Sequence, residues 1–510
     1  MKKWILPCLL CICILLTACT KEPPSLSDLL PKCEQHVDID GNGTCENCLQ
    51  NIFVIFDFYA INDLHGKLDD GSNHPGVDEL TTYLRNAQKE NPNSILLSAG
   101  DMWQGSAESN MTNGLIMTEW MNDLGFAGMA LGNHEFDWGT DAIRENYTIA
   151  EFPILAINVY DRETDQRVEY CAPSTVVEGN GLQVGIIGAI GDCYSSIAVD
   201  KCQDVYFKTG SQLTSLVKAE SERLRSEGVD FIVYVIHDGY EQSSTGSVAS
   251  VNGSKLSYYY DTSLSDGYVD LVFEGHTHQG YRLQDEYGVY HLQHRGDNKG
   301  GISHVEVAIN TIDNSASVLE AELVSTDKYK NLNDDPIVDQ LLEKYDEQIS
   351  LANKVVGYNR TYRSGNELRQ LVADLYYEAG MEKWGDEYDI VLGGGFISVR
   401  SPNNMSAGDV TYGMLQSLFP FDNELMLCSV KGRDLWNKFL NTDNSNYFIC
   451  YGDYGAEVYN DIDMNATYYI IVDSYSALYA PNKLTVVEKY GAQVYARDLL
   501  ADYMTAGGLA

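Results

Sequence analysis

Basic residues are scarce. The 510-residue chain carries 34 Lys and Arg against 74 Asp and Glu, a formal net charge of −40. Such a chain lacks the positive footprint that nucleic-acid polymers and anionic membranes demand, so neither is expected as a partner. A small anionic substrate would have to be drawn in locally, by metal ions and a few Arg, and charge screening beyond roughly 10 Å makes that feasible. Long apolar runs are also rare. Only Trp4–Leu16 stands out, and it is too short to span a bilayer as a stable helix. Preceded by Lys2 and Lys3 and ending in Leu16-Thr-Ala-Cys19, it reads as a signal peptide.

The small residues before Cys19 resemble the lipobox of bacterial lipoproteins, which implies a lipid on Cys19 and an extracytoplasmic chain tied to the cell membrane by that anchor alone. The length calls for two large domains, since one core does not grow to that size. The 12 Cys divide by position: three lie in the signal segment, and Cys171, Cys193, Cys202, Cys428 and Cys450 lie in the body. Cys193 and Cys202 are near enough in sequence for a disulfide. Between them and the signal segment, Cys33-x2-His36 and Cys45-x2-Cys48 form two pairs with tetrahedral Zn²⁺ spacing. They enclose Asp38-Ile-Asp-Gly-Asn-Gly43, half of a Ca²⁺ loop whose twelfth place is Leu49 instead of Glu. The expectation is a structural clip holding Zn²⁺ or Ca²⁺, or closed by disulfides.

From Asn51 onward a pattern repeats: an apolar, β-branched or aromatic run ends in residues of metal-ligand type. Ile52–Ile61 leads to Asp63-Leu-His65, Ser94–Ser98 to Asp101, and Gly128–Leu131 to Asn133-His134. Phe231–Ile236 leads to His237-Asp238, and Leu271–Phe273 to His276-Thr-His278. Two further strand candidates, Phe152–Val159 and Gln183–Ile190, carry no such ligands. Helical spacing fills the gaps over Val77–Glu90 and Gln212–Glu227. Strands alternating with helices predict an α/β domain, in which ligands bind beyond the carboxyl ends of the strands. Asp63, His65, Asp101, Asn133, His237, His276 and His278 should therefore converge. Seven N and O ligands are too many for one ion and suit two, with Asp101 as a bridging carboxylate. Such a pair activates water near neutral pH and clamps phosphoryl oxygens, which is phosphoester hydrolysis chemistry. His134 would protonate a leaving oxygen, with Asp137 three residues on to orient it.

These five blocks, Asp-x-His, Gly-Asp, Gly-Asn-His-Glu, a later His and Gly-His-x-His, resemble the calcineurin-like metallophosphoesterases. The resemblance implies a β-sandwich flanked by helices, and two divalent metal ions, Zn²⁺, Mn²⁺ or Fe. One would be held by Asp63, His65, Asp101 and His278, the other by Asp101, Asn133, His237 and His276. Further on come Tyr362-Arg-Ser-Gly-Asn-Glu-Leu-Arg-Gln-Leu, Asp389-Ile-Val-Leu-Gly-Gly-Gly-Phe-Ile-Ser-Val-Arg400 and Leu418-Phe-Pro-Phe421. This ordered set is similar to the C-terminal domain of the 5′-nucleotidase and UDP-sugar hydrolase family. By that likeness Arg363 and Arg400 bind phosphate, Arg369 being a rival, and Phe421 and Tyr475 sandwich a base. The match departs from the family where extra residues precede Arg400 and where the late Gly-Gly-Asp is missing after Tyr475.

The expected organisation is a signal peptide over 1–19, a tether and clip over 20–50, and a phosphoesterase domain over 51–330. A linker helix over 331–353 then joins it to a smaller α+β substrate domain over 354–510. The expected activity is a 5′-nucleotidase acting on a nucleotide substrate. The rivals are a 2′,3′-cyclic-nucleotide phosphodiesterase, a UDP-sugar hydrolase, and a surface protein that binds ligand without turnover.

Overall fold

The β-branched and aromatic runs of the first half become strands, as their composition favours. The computed structural model describes residues 45, 47, 52–68, 76–240, 261–296, 301–400, 402–440, 449–450, 462–479, 483–491 and 494–509. Cys19, Cys33, His36 and Cys48 lie outside the described residues, as does Asp38–Gly43 of the Ca²⁺-loop stretch; of the clip's four Cys and His, Cys45 alone is described, and it is buried. Internal contacts define two units. In the first, Met1–Val54 with Asn310–Ser315, Cys45 and Ile52 are buried together and the Thr311 N–H donates to Ile52 O at 2.8 Å. The second, Ile55–Ile309 with Ala316–Ala510, contains the candidate site. No helix among the described residues is long and apolar enough to cross a membrane.

The first half runs β1 (Phe53–Ile61), β2 (Ser94–Ser98), β3 (Gly128–Ala130), β4 (Ile154–Leu155), β5 (Val159–Asp161), β6 (Ser174–Gly179) and β7 (Leu182–Ile190). It continues through β8 (Val205–Phe207), β9 (Phe231–His237), β10 (Leu271–Glu274), β11 (Tyr281–Gln284), β12 (Tyr290–Gln293), β13 (Ile302–Asn310) and β14 (Ala316–Val324). They build two six-stranded sheets, ordered β14-β13-β1-β2-β3-β4 and β11-β12-β10-β9-β7-β6. In each, parallel strands carry the site: β1 to β4 in one, β7, β9, β10 and β12 in the other. The sheets face each other, Phe58 of β1 stacking on Phe231 of β9 at 5.7 Å between ring centres. Gly188 of β7 lets this happen, because a Cβ there would lie 2.2 Å from Leu155 Cβ. Helices cover the outer faces: Val77–Glu90 buries Leu80 and Leu84, and Ser211–Ser226 buries Leu213, Val217 and Leu224. This is a helix-flanked sandwich. Strands β11 to β14, which form the antiparallel pairs β11–β12 and β13–β14, extend it beyond the strands that the sequence pattern marks.

The linker expected to be one helix over 331–353 is broken into Ile337–Lys344, Asp346–Ile349 and a 3-10 turn Ser350–Asn353. The break falls at Tyr345, which leaves helical geometry (φ −99°, ψ 12°) while its hydroxyl donates to Glu119 at 2.7 Å. Beyond it, a five-stranded sheet packs against the helix Gly365–Trp384, which starts from a capping box made by Ser364 and Glu367. Gly393 of the strand Ile390–Gly395 serves this packing, since a Cβ there would sit 2.5 Å from the Tyr377 backbone N, whereas Gly395 makes room for Asp473, whose Oδ2 would lie 2.8 Å from its Cβ. Cys193 and Cys202 remain separate thiols, as do Cys171 and Cys428.

Strands β1 and β13 are tied by a buried pair. His304 Nε2 donates to Asp57 Oδ1 at 2.7 Å, Asn91 Nδ2 donates to Asp57 Oδ2 at 2.7 Å, and Tyr59 stacks on the His304 ring at 4.4 Å. Burial alone would raise the Asp57 carboxyl, but the hydrogen bonds from His304 and Asn91 hold it below its ordinary value. Stability from a depressed carboxyl is present above the unfolded value of about 3.9 and is lost as pH falls through the folded one. Asp57→Ala should therefore cost about 1.5–3 kcal/mol in urea unfolding at neutral pH. Its deficit relative to the native chain should shrink on acidification; a deficit independent of pH would contradict the pairing.

Candidate metal centre and substrate cavity

Each ligand-type residue sits where a parallel strand ends. Asp63 and His65 follow β1, Asp101 follows β2, Asn133 and His134 follow β3, His237 closes β9, and His276 and His278 follow β10. Five of these occupy left-handed backbone: φ is 51° at Asp63, 53° at His65, 55° at Asp101, 74° at His276 and 52° at His278. For a non-glycine residue such conformations cost about 1–3 kcal/mol each and persist only where surroundings over-determine them. Here the loops brace one another. The N–H of Asp63 donates to Gly100 O at 3.0 Å, that of His65 to Asp101 O at 3.0 Å, and that of Gly66 to Met102 O at 2.8 Å.

The side chains then meet in overlapping groups. Asp63, His65 and His278 place ligand atoms within 4.8 Å of one another, and so do Asp63, Asp101 and His237. Asp63 and Asp101 are fully buried or nearly so, at 0% and 1% exposure. His237 donates through Nδ1 to Ala99 O at 2.5 Å, so its Nε2 lone pair faces Asp101 Oδ2 at 3.1 Å without a hydrogen bond. A lone pair and a carboxylate that close need positive charge between them. A proton would serve: burial would lower the imidazole, but Asp101 and then Asp63 hold it up at about 10. A divalent cation would serve equally. Burial drives the His65 imidazole down to about 3, which keeps it in the neutral form that a metal ligand requires. Its Nδ1 contacts Gln104 O at 2.8 Å, which aims Nε2 at His278 Nε2, 3.4 Å away. Asn133 adds a buried Oδ1 without a hydrogen-bond partner. The donor set fits the divalent metal ions that the sequence implies, with Asp63 belonging to both groups in addition to the expected bridging role of Asp101.

Glu135 had no role assigned from the sequence, although it stands inside the Gly-Asn-His-Glu block. It is wholly buried and accepts from the N–H groups of Gly132 at 2.6 Å, Met102 at 2.8 Å and Asp101 at 2.9 Å. One carboxylate thus clasps the turns after β2 and β3 together. Burial and then the Asp101 charge push Glu135 up to about 7. The one sequence signal for it was its place directly after Asn133-His134 and before the apolar Phe136.

His134 Nδ1 lies 2.8 Å from Asp137 Oδ2, the orienting pair expected. Burial would lower the His134 imidazole, but Asp137 and Asp101 outweigh it and hold it above its ordinary value, opposed in part by Arg400. Arg400 Nη2 is 2.9 Å from His134 Nε2, and its guanidinium lies 5.1 Å over the Phe421 ring, which is 5.9 Å from the His134 ring. These groups share a cavity of about 870 Å³ with Asp101, Asn133, His276 and His278 on one side and Tyr376, Phe396, Phe419, Tyr475 and Tyr479 on the other. Tyr475 and Tyr479 stack at 6.3 Å. Arg363 does not reach the cavity: it sits on the short strand Arg363–Ser364 and donates to Asn359 Oδ1 at 3.2 Å. Arg369 is likewise elsewhere, donating to Asn366 at 3.3 Å. Both precede or open the helix Gly365–Trp384, and the strand pairing of Arg363 with Met405 turns it away. Lys201, Lys438 and Asp473 line the cavity without having been expected.

Gly132 must remain glycine for Asp101 to keep its place, because a Cβ there would lie 2.2 Å from Asp101 Oδ1 and 2.6 Å from Asp101 N. Gly132→Ala should weaken divalent-metal binding about 10–100-fold by calorimetric titration while the far-ultraviolet circular dichroism stays native. Unchanged metal affinity would contradict the part given to Asp101.

Known proteins resemble this chain in sequence and in fold. The calcineurin-like phosphoesterase family matches residues 56–280. Endonuclease YhcR of Bacillus subtilis is 25% identical over 406 residues, covering 74% of this chain and 32% of that protein. Protein UshA of Yersinia enterocolitica is 26% identical over 382 residues, covering 67% of this chain and 66% of UshA. The chain thus spans about a third of the first relative's length and about two thirds of the second's. The crystal structure of a 5′-nucleotidase precursor from Thermus thermophilus superposes with a TM-score of 0.66 at 20% identity, over 89% of this chain and 97% of that one. Residues 56–280 thus carry a calcineurin-like phosphoesterase domain, and along 89% of its length the chain shares the fold of the Thermus 5′-nucleotidase precursor.

Proposed function

We propose that the protein is a metal-dependent phosphoric ester hydrolase that releases phosphate from nucleoside 5′-monophosphates. The observation that carries this reading is the single cavity in which the metal-ligand cluster, the His134–Asp137 pair, Arg400 and a set of aromatic rings all open. Two divalent cations, one at Asp63, His65, Asp101 and His278 and one at Asp101, Asn133, His237 and His276, would supply Lewis acidity and an activated water. The chain's own residues do the rest. Asp137 holds His134 through Nδ1, which leaves Nε2 to give a proton to the departing ester oxygen. Arg400 contacts that same Nε2, so a protonated His134 and the guanidinium are two donors 2.9 Å apart. An anionic phosphoryl group placed between them satisfies both, and Arg400 can fork onto its oxygens. Phe421, Tyr475 and Tyr479 offer ring faces to a base.

The rival within the same chemistry is a nucleotide-sugar hydrolase. Lys201 and Lys438 line the cavity in addition to Arg400, which suits a substrate with a second phosphoryl group. The Yersinia relative carries the name UshA, the Bacillus relative that of an endonuclease, and a net charge of −40 disfavours a polymeric substrate for this chain.

Phosphate release from nucleoside 5′-monophosphates, a 3′-monophosphate, a 2′,3′-cyclic nucleotide with coupled phosphatase, UDP-glucose and an aryl phosphate tests the reading. Preference for the 5′-monophosphates is expected; turnover of the aryl phosphate alone would remove the nucleotide from the account. In the same assay His134→Ala should lower kcat by about 10²–10⁴-fold with bound metal unchanged. Full activity in that variant would overturn the role of His134.

A further inference from the structure

Strand β7 was the one long parallel strand whose end carried no ligand type by sequence. The structure supplies one. The chain leaves Ile190, passes Gly191 and turns through the 3-10 segment Asp192–Ser196, which brings Cys193 against the end of β9. Strands β7 and β9 pair in parallel with Ile190 opposite His237, so this turn lies directly beside a residue of the metal cluster. Gly191 allows the approach, since a Cβ there would lie 2.3 Å from Asp238 Cβ. Cys193 is 4% exposed, and its thiol donates to His237 O at 2.8 Å, a proton that a bound cation would replace. Its Sγ and one ring nitrogen each of His237 and His276 all lie within 4.8 Å of one another.

We infer that Cys193 is a sulfur ligand to the divalent cation held by His237 and His276. The inference rests on the reading of the site as a metal centre. Cys193 is not an isolated thiol: it closes a third group beside the two that Asp63 shares, in a centre where His237 Nε2 and Asn133 Oδ1 are buried without hydrogen-bond partners. Ser196, at the other end of the same turn, lines the cavity, so the turn belongs to the wall of the site. A thiolate with two imidazoles also changes which metal is preferred. Oxygen and nitrogen ligands alone suit Mn²⁺ as well as Zn²⁺, whereas sulfur favours Zn²⁺ and its borderline neighbours Fe²⁺ and Co²⁺. The structure therefore assigns unequal character to the two positions: a harder one at Asp63, His65 and His278, and a softer one at Cys193, His237 and His276.

The test is optical. The full chain is stripped of metal, reloaded with Co²⁺ and compared with Cys193→Ser, and the cobalt content of both is measured by mass spectrometry. A sulfur-to-cobalt charge-transfer band in the near ultraviolet should appear in the native-minus-variant difference spectrum, and any band from the Cys33–Cys48 segment cancels because both chains retain it. The variant should also lose part of its preference for Zn²⁺ over Mn²⁺ in competition titrations. Cobalt bound by both chains with a flat difference spectrum would overturn the inference and leave the metal centre standing. No cobalt bound outside the Cys33–Cys48 segment would overturn the metal centre itself. Should the serine variant fail to fold, Cys193→Ala gives the same comparison without a hydroxyl in place of the thiol.

Discussion

Two carboxylates, Asp63 and Asp101, are buried together, at 0% and 1% exposure, facing imidazole nitrogens whose other nitrogens are already committed to backbone carbonyls. An uncompensated buried ion costs several kcal/mol even after relaxation. The anionic cluster therefore sets the requirement that the surrounding fold meets. Positive charge must enter it, and the backbone must hold the acceptors close while it is absent. The left-handed residues, the interlocked loop hydrogen bonds and the clasp of Glu135 across the turns after β2 and β3 all follow from that need. A sandwich of two mixed sheets is well suited to it, since both sheets point the carboxyl ends of parallel strands toward one place.

The second half contributes what the metal cluster lacks. A net charge of −40 makes the bulk of the protein repel a phosphate ester, so attraction has to be concentrated at the site. Arg400, Lys201 and Lys438 are the cations of the cavity, and Phe421 links the guanidinium to His134 by packing against both. Specificity then depends on rings, Arg400 and Lys438, all remote in sequence from the metal ligands, joined by Lys201 from the first half.

Much of this was legible in the sequence because it is local. The helix Val77–Glu90 has the bounds its apolar spacing predicts, and strand β2 is the run Ser94–Ser98 itself. The metal-type residues announced themselves by position, each just past an apolar run. What escaped reading depends on tertiary placement. Arg363 and Arg400 look equivalent as cations near helix and glycine motifs, but only the fold sends one to the cavity and pairs the other with Asn359. Tyr376 and Tyr479 carry no distinguishing pattern among 35 Tyr. Cys193 suggested a disulfide with Cys202, because sequence distance says nothing about the turn that carries it to His237. Tyr345 breaks the expected linker helix through a hydroxyl contact to Glu119, a partner more than two hundred residues away.

The central claim is that the buried cluster exists to hold divalent cations and that hydrolysis depends on them. Metal stoichiometry measured against phosphate release tests it most directly. The chain is stripped with a chelator and titrated with Zn²⁺ or Mn²⁺, while bound metal and turnover of a nucleoside 5′-monophosphate are followed together. Activity that is absent without metal and reaches its plateau as the second equivalent fills the cluster is the predicted result. Turnover that survives complete removal of metal, or that saturates with no cation bound at Asp63, Asp101 and their histidines, would contradict the account.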